Sequence, residues 1–378
     1  MKLEGKYNIE SIIYQILFLH KGPIVKFTLY LNDIRFCPGL NNWLHFLSNH
    51  HVEEFRLECL TRLSVSHLLF SLEHLTHLHL ANVKVRLPST FKGFGRLVKL
   101  HLSCVALLLE ELDRFISKCP MLEYIDLRSP IDHMLGHLVT DAPNLKSFHF
   151  QGILGSFYFK NASCLKEMSI IRFPSVVDTT SEPRGNNSNM IKFLSPLSSI
   201  TSLKFYRGSL SSLASGGVPH KLPFNLDHIR FLVLDIAGFE STSDVRCALC
   251  LIRSSPNLQS LEIGINQLIV PDIDRLEATT QFLKAQQKYE FPLCCLENVE
   301  VLGFSGVEPE MEFVKLLLSS ATALMKLEIH CKYKVGTRKG IKMLKEFLSI
   351  PRASTRAELI FKDRFGICFK IGLASTRF

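Results

Sequence analysis

Histidine is the residue type that most invites chemistry in this chain of 378 residues. There are fifteen, and His74, His77, His79 and His101 lie close together along the sequence. His79 and His101 hold equivalent places in two apolar triplets, so neighbouring parallel strands would bring them about 4.8 Å apart. A metal centre needs more than a pair: converging ligands, each held by its own outer hydrogen-bond partner. Solvated histidines on a binding face are therefore expected, with no metal and no cofactor. Eleven cysteines offer one C-x-x-C, Cys247 and Cys250, inside the helix-like stretch Asp244 to Arg253. With no second pair and no strand–turn context, it is expected to be buried free thiol in a reducing compartment, as are Cys294 and Cys295. No G-x-S-x-G, phosphate-binding loop, H-E-x-x-H or G-x-G-x-x-G occurs, so no enzyme is expected.

The elements that must position these side chains follow from leucine spacing. Leu75, Leu78 and Leu80 follow L-x-x-L-x-L, and the pattern recurs at Leu97, Leu100 and Leu102, with Asn82 and Cys104 two places on. This is the short-strand signature of a leucine-rich repeat. Alternation along a strand turns Leu78 and Leu80 to one core and His77, His79 and Ala81 to the opposite face. Similar triplets start at Ile24, Val52, Leu122, Leu145, Leu165, Ile200, Ile229, Leu258, Leu296 and Leu324. One such strand cannot bury its apolar face alone, so the copies must stack. The expected fold is α/β: a leucine-rich-repeat solenoid with a curved parallel sheet inside and helices outside. The segment 107–118 shows the helical half of the unit, with Leu108, Leu112, Phe115 and Ile116 on one face before Cys119-Pro120.

Between the two inward positions of each strand lies one residue aimed at the concave face. In order these are Arg56, His79, His101, Asp126, His149, Ser169, Lys204, Val233, Glu262, Glu300 and Glu328. The column is basic or His-bearing at its start and acidic at its end. The flanks add His77, Lys99, Tyr124 and Arg128. Polar residues there serve solubility in any case. Rigid strands carrying Tyr, Arg and His are also where repeat proteins recognise partners. The section from Arg56 to His149 is expected to contact an acidic or phosphorylated segment, with Tyr124 as apolar anchor and neither Tyr124 nor His101 facing the core.

Composition bounds the rest. A hydrophobic content of 47% supports a large core. The formal charge of +9 raises nucleic acid as a partner, but the basic residues are dispersed with no long Lys/Arg run, which argues against it. No secretory signal is evident and no run approaches the roughly 18 apolar residues of a membrane span. The expectation is no membrane and a cytoplasmic or nuclear location. Helices are expected at Ile9 to Leu19 (face Ile12, Ile13, Ile16, Leu19), Leu40 to Leu47 with Trp43 in the core, Glu277 to Tyr289, Phe313 to Ser319 and Ile341 to Leu348. Residues 174–190 read as a long exposed loop and Ser209 to Lys221 as a second polar break. The tail from Lys362 receives no assignment.

The string from Gly303 to Leu318 (GFSGVEPEMEFVKLLL) resembles the FBD domain of plant F-box/FBD/leucine-rich-repeat proteins, as do Leu344-Lys345-Glu346-Phe347 and Pro351-Arg352-Ala353-Ser354. Phe18 to Ile24, Trp43 to Leu47, Phe91 to Phe94 and Phe115 to Pro120 are similar to the family's first repeats. The resemblance runs over residues 11–362. It divides the chain into an N-terminal helical segment (1–22), repeats (23–290), an FBD domain (291–362) and a tail (363–378). It implies the substrate-recognition subunit of an SCF-type ubiquitin ligase, binding a protein target on the concave face. Such proteins open with an F-box that docks a Skp-type adaptor and cullin. No Leu-Pro start followed by an Arg/Lys-Trp segment is visible here, so the docking residues have no positions to be carried onto, and adaptor and cullin would engage only if an F-box is supplied. The alternative is a stand-alone interaction or decoy protein not coupled to ubiquitination.

Overall fold

The computed structural model describes residues 9–32, 37, 39–128, 137–152, 156–172, 189–214, 217–266, 272–288, 292–332, 338–363 and 368–371. The chain forms two compact units, Met1–Lys166 and Glu167–Phe378. The expected loop at 174–190 lies outside the described residues except for Asn189 and Met190, which begin a helix.

The first unit contains α1 (Ile9–Leu19), β1 (Lys26–Leu31), α2 (Leu40–Ser48), β2 (Glu54–Val65), β3 (His77–Val85), β4 (Lys99–Ser103), α3 (Leu109–Ser117), β5 (Tyr124–Arg128), β6 (His137–Thr140), β7 (Ser147–Gly152) and β8 (Ser156–Phe159). Strands β1-β2-β3-β4-β5-β7 form one parallel sheet, and β6 and β8 pair separately. The leucine positions set the register: Leu78 lies opposite Leu100 and Leu80 opposite Leu102, all buried. Asn82 and Cys104 end their triplets in the left-handed region, at φ 55° and 54°. The Asn82 amide donates to the Cys59 carbonyl at 2.8 Å, which ties one turn to its neighbour. Cys59 itself does not turn. It stays in β2 opposite Leu31, and an irregularity between Glu58 and Leu63 carries the strand on to Val65.

Behind this sheet, α2 buries Trp43, Leu44 and Leu47 completely. On α3, Leu112, Phe115 and Ile116 are buried while Leu108 is 64% exposed, because Leu108 is the N-cap and precedes the helical face. Phe115 joins Phe70, Phe91 and Phe94 in one cluster, stacked on Phe91 at 5.4 Å. On α1 the buried residues are Ile13 and Leu17, not Ile16 and Leu19, which stand exposed. Apolar character runs around most of that helix, so spacing alone did not select the face that packs.

The second unit contains β9 (Glu167–Arg172), α4 (Asn189–Leu194), β10 (Ser202–Tyr206), α5 (Ser209–Ala214), β11 (Phe231–Ile236), α6 (Thr242–Arg253), β12 (Ser260–Ile265), α7 (Ile273–Gln286), β13 (Asn298–Phe304), α8 (Glu308–Ser320), β14 (Lys326–Cys331), α9 (Arg338–Leu348), β15 (Glu358–Asp363) and β16 (Cys368–Ile371). Strands β9 to β15 are parallel in sequence order. β16 returns antiparallel to β15, inside the tail left without assignment. The polar stretch from Ser209 is helical in its first half: Leu210 and Leu213 bury, and the Ser209 hydroxyl is satisfied by the Ile170 and Tyr206 carbonyls.

Cys247 and Cys250 are fully buried on α6. Burial pushes the Cys250 thiol up to about 11 and Cys247 well above the ordinary range, so neither is a ready thiolate. Cys294 departs from expectation: it is exposed, and Cys295 is half-buried. Both sit in the turn before β13, where Leu293 and Leu296 take the inward positions. The architecture is an α/β leucine-rich-repeat solenoid: parallel strands ordered as in the sequence, each carrying the same inward pair.

Candidate functional site

On the exposed sheet face of the first unit, three rows of side chains cross the strands. The first row runs Lys26, Glu54, His77, Lys99, Tyr124, Ser147, and the second Thr28, Arg56, His79, His101, Asp126, His149. The third carries Tyr30, Glu58, Ala81, Ser103, Arg128 and Gln151. Every residue expected on this section of the face therefore lies on three adjoining rows of one sheet.

Four rings form a ladder across β3, β4, β5 and β7. His79 and His101 lie 5.3 Å apart, His101 and Tyr124 4.9 Å, and Tyr124 and His149 5.2 Å. His79 and His101 do not converge on a shared point as metal ligands would. His79 Nε2 approaches Glu58 at 3.0 Å and His101 Nδ1 approaches Asp126 at 3.4 Å. Asp126 is buried beneath this layer and also accepts two hydrogen bonds from Arg128. Burial pushes its carboxyl up, but the bonds from His101 and Arg128 outweigh burial and hold it below the ordinary range. With both oxygens engaged, Asp126 orients His101 and Arg128 and has little left for a partner. Glu58, which sequence reasoning passed over, does the same for Arg56 and His79. Its signal was available: a carboxylate two residues after Arg56 on the same face of a strand. Burial, and then the Arg56 charge, lower the His79 pKa; burial and Lys99 lower that of His77.

The face of the second unit is acidic. Glu262, Glu300 and Glu328 stand in register on β12, β13 and β14. Val233, expected on this face, is 1% exposed, in register between Lys204 and Glu262. Glu300, Glu328 and His330 place ligand-type atoms within 4.8 Å of one another. Yet Lys326 and Lys362 already engage the two Glu328 oxygens, so a cation would have to displace two ammonium groups. Burial pushes the Glu328 carboxyl up, and the hydrogen bonds from Lys326 and Lys362 reverse this and hold it at about 2. A lowered carboxylate pKa stabilises the fold fully above its unfolded value, and the contribution is lost as pH falls through the folded one. Replacing Glu328 with Gln should therefore remove the part of acid destabilisation between about pH 4.5 and pH 2, at a cost near neutrality of roughly 1–3 kcal/mol, discounted because both lysines are solvated. Melting curves across that window measure it, and an unaltered acid profile would count against the assignment.

The family model described as FBD-associated F-box protein At5g56370, LRR repeats, matches residues 40–263. The chain belongs to this family. Among its relatives, the F-box/FBD/LRR-repeat protein At1g13570 of Arabidopsis thaliana is 29% identical over 355 residues, 94% of this chain and 83% of the relative. The FBD-associated F-box protein At1g61320 of the same plant is 20% identical over 86% of this chain and 76% of its own length. The putative FBD-associated F-box protein At1g05080 is 22% identical over 95% and 86%. The matched span takes in β2 to β5 and β7, so the ring ladder is built on the family's repeats. Among the described residues no helix is long and apolar enough to cross a membrane.

Proposed function

We propose that this chain binds a protein target on the exposed sheet face of its first unit and serves as the substrate-recognition part of an SCF-type ubiquitin ligase. The observation that carries the binding face is the ring ladder from His79 to His149, four side chains held about 5 Å apart on hydrogen-bonded strands. Rings on rigid strands lose little conformational entropy on binding, which suits them as anchors. The ligase part rests on kinship with proteins named for an F-box, and through such a module a Skp-type adaptor and cullin would join. Within this reading, residues 23–290 are repeats and 291–362 the FBD domain. The latter's strands β13 to β15 extend the parallel register of β12, which supports treating it as a continuation of the array.

The test combines Tyr124→Ala with Lys99→Glu in the full chain. Lys99 is exposed and forms no ion pair among the described residues, so its reversal breaks no salt bridge and changes only the charge that Glu54 and His77 feel. His101→Glu is the poorer choice: it would set a carboxylate against Asp126, and so His101 is not silent for stability as its place on the outer face had suggested. Target capture should fall about tenfold or more while the melt is unchanged. Undiminished capture would move the site elsewhere. Recovery of the target without adaptor and cullin, by the chain joined to an F-box, would leave binding in place and remove the ligase part.

A further inference from the structure

Taking the binding face as read above, we propose that it seats one carboxylate of an acidic partner segment between His77, Lys99 and His101, and that binding takes up protons. His77 and Lys99 are register partners on β3 and β4, and His101 lies two residues beyond Lys99 on the same side of its strand. The three permanent cations elsewhere on the face are already neutralised: Lys26 by Glu54 at 2.7 Å, Arg56 by Glu58 at 2.5 Å and Arg128 by Asp126 at 2.9 Å. Lys99 is the exception among the described residues of these rows.

The neighbours are arranged so that an anion relieves repulsion. His77 meets the charges of Lys99, Lys26 and His101, with Glu54 alone opposing them. His79, one row over, meets Arg56 and His101, opposed by Glu58 and Asp126. The Nδ1 edge of His77 faces the Thr76 hydroxyl at 2.9 Å, so Nε2 is the atom left to donate to a ligand. Tyr124, the register partner of Lys99 on β5, sets an aromatic ring beside the seat. The segment that fits is a carboxylate followed by an apolar or aromatic side chain. A nucleic-acid backbone fits poorly: it needs several unpaired cations in a row, and here three carboxylates flank a single one.

The proton linkage has a definite sign. Burial and neighbouring cations lower the pKa of His77 and His79, which favours their neutral forms near neutral pH. A carboxylate within about 4–6 Å favours the imidazolium and raises the pKa in the complex. Affinity must then rise as pH falls and level off once the histidines are protonated in both states. The ligand carboxylate stays ionised throughout, since its own pKa is near 4.

Anisotropy of a rhodamine-labelled peptide with alternating Glu and Phe, against its Gln counterpart and a single-stranded oligonucleotide of equal length, tests this on the full chain from pH 7.5 to 5.5. The acidic peptide should gain about tenfold in affinity, the equivalent of one unit of pKa shift, and the Gln peptide nothing. Lys99→Gln should weaken the acidic peptide at every pH, and His77→Gln should flatten the rise. A pH-independent affinity, an unaltered rise in His77→Gln, tighter binding of the oligonucleotide, or no binding at millimolar peptide each overturns the proposal. Tyr124→Ala separates the two layers of argument. If it weakens both peptides while the pH rise is missing, the face stands and the carboxylate seat falls. If it changes neither, the face itself is wrong.

Discussion

Glu310→Ala should destabilise the second unit by about 3–5 kcal/mol, because it removes the acceptor for a buried turn. Glu310 is 1% exposed, and its carboxylate accepts from the Ser305 and Gly306 amides at 2.8 Å and from the Ser305 hydroxyl at 2.9 Å. It occupies the third position of α8, whose N-cap, Val307, has no side-chain acceptor of its own. A glutamate there reaches back past the N-cap to amides of the turn that leads into the helix, much as a capping-box glutamate does. Burial keeps its carboxyl above the ordinary range even against those donors. Alanine would strand the donors away from water; glutamine, which keeps one oxygen and the volume, should lose about half as much. Glu308, two residues earlier, meets Lys284 in solvent, so Glu308→Ala should leave the melt nearly unchanged. Hydrogen exchange of the β13 and α8 amides in the three variants measures the difference. Equal protection in Glu310→Ala and Glu308→Ala would refute it.

In the first unit, Gly93→Ala should cost roughly 2–5 kcal/mol, from a strained backbone plus an unavoidable clash. Gly93 has φ +106°, and a methyl group there would lie 1.9 Å from the Lys118 carbonyl oxygen at the end of α3. That oxygen belongs to the backbone and cannot rotate away. The same junction is tied by the Lys118 ammonium on the Phe91 carbonyl and by Arg114 on the Leu87 carbonyl. It carries the stack of Phe91 on Phe115. Opening it would disturb the turn that leads into β4 through the Leu97 amide on the Phe94 carbonyl, so peptide binding at Lys99 should weaken along with the melt. Gly95→Ala is the control, since nothing lies within 4 Å of its added carbon. A Gly93→Ala melt within a degree or two of the control would show that the turn can shift.

The strings that carry the family resemblance turn out to be these junctions. Phe91 to Phe94 and Phe115 to Pro120, far apart in sequence, meet at Gly93 and Lys118, and Gly303 to Leu318 folds around Glu310. Sequence shows that such residues recur; only the packed structure shows what each one holds.

What the sequence determined by itself is the strand register. A period of two with leucine at the inward places leaves one face for the core, and a slip of one residue would expose every leucine. Hence the rows holding His77, His79, Lys99, His101 and Tyr124 could be read before any coordinates. Tertiary structure decided how those side chains are used. Asp126 and Val233 occupy outward positions yet are buried, Asp126 beneath the His101 and Arg128 side chains that it holds. Ile16 and Leu19 have the composition of core residues yet stand in solvent, because α1 packs through Ile13 and Leu17. Arg56 and Arg128 pair with carboxylates two residues away on their own strands, a spacing the sequence shows. The pairing of Lys26 with Glu54, and the lack of such a partner for Lys99 among the described residues, depend instead on which residues stand opposite one another across strands. Alternation fixes only the face to which a side chain points; a partner across strands is set by side chains many residues away in the chain.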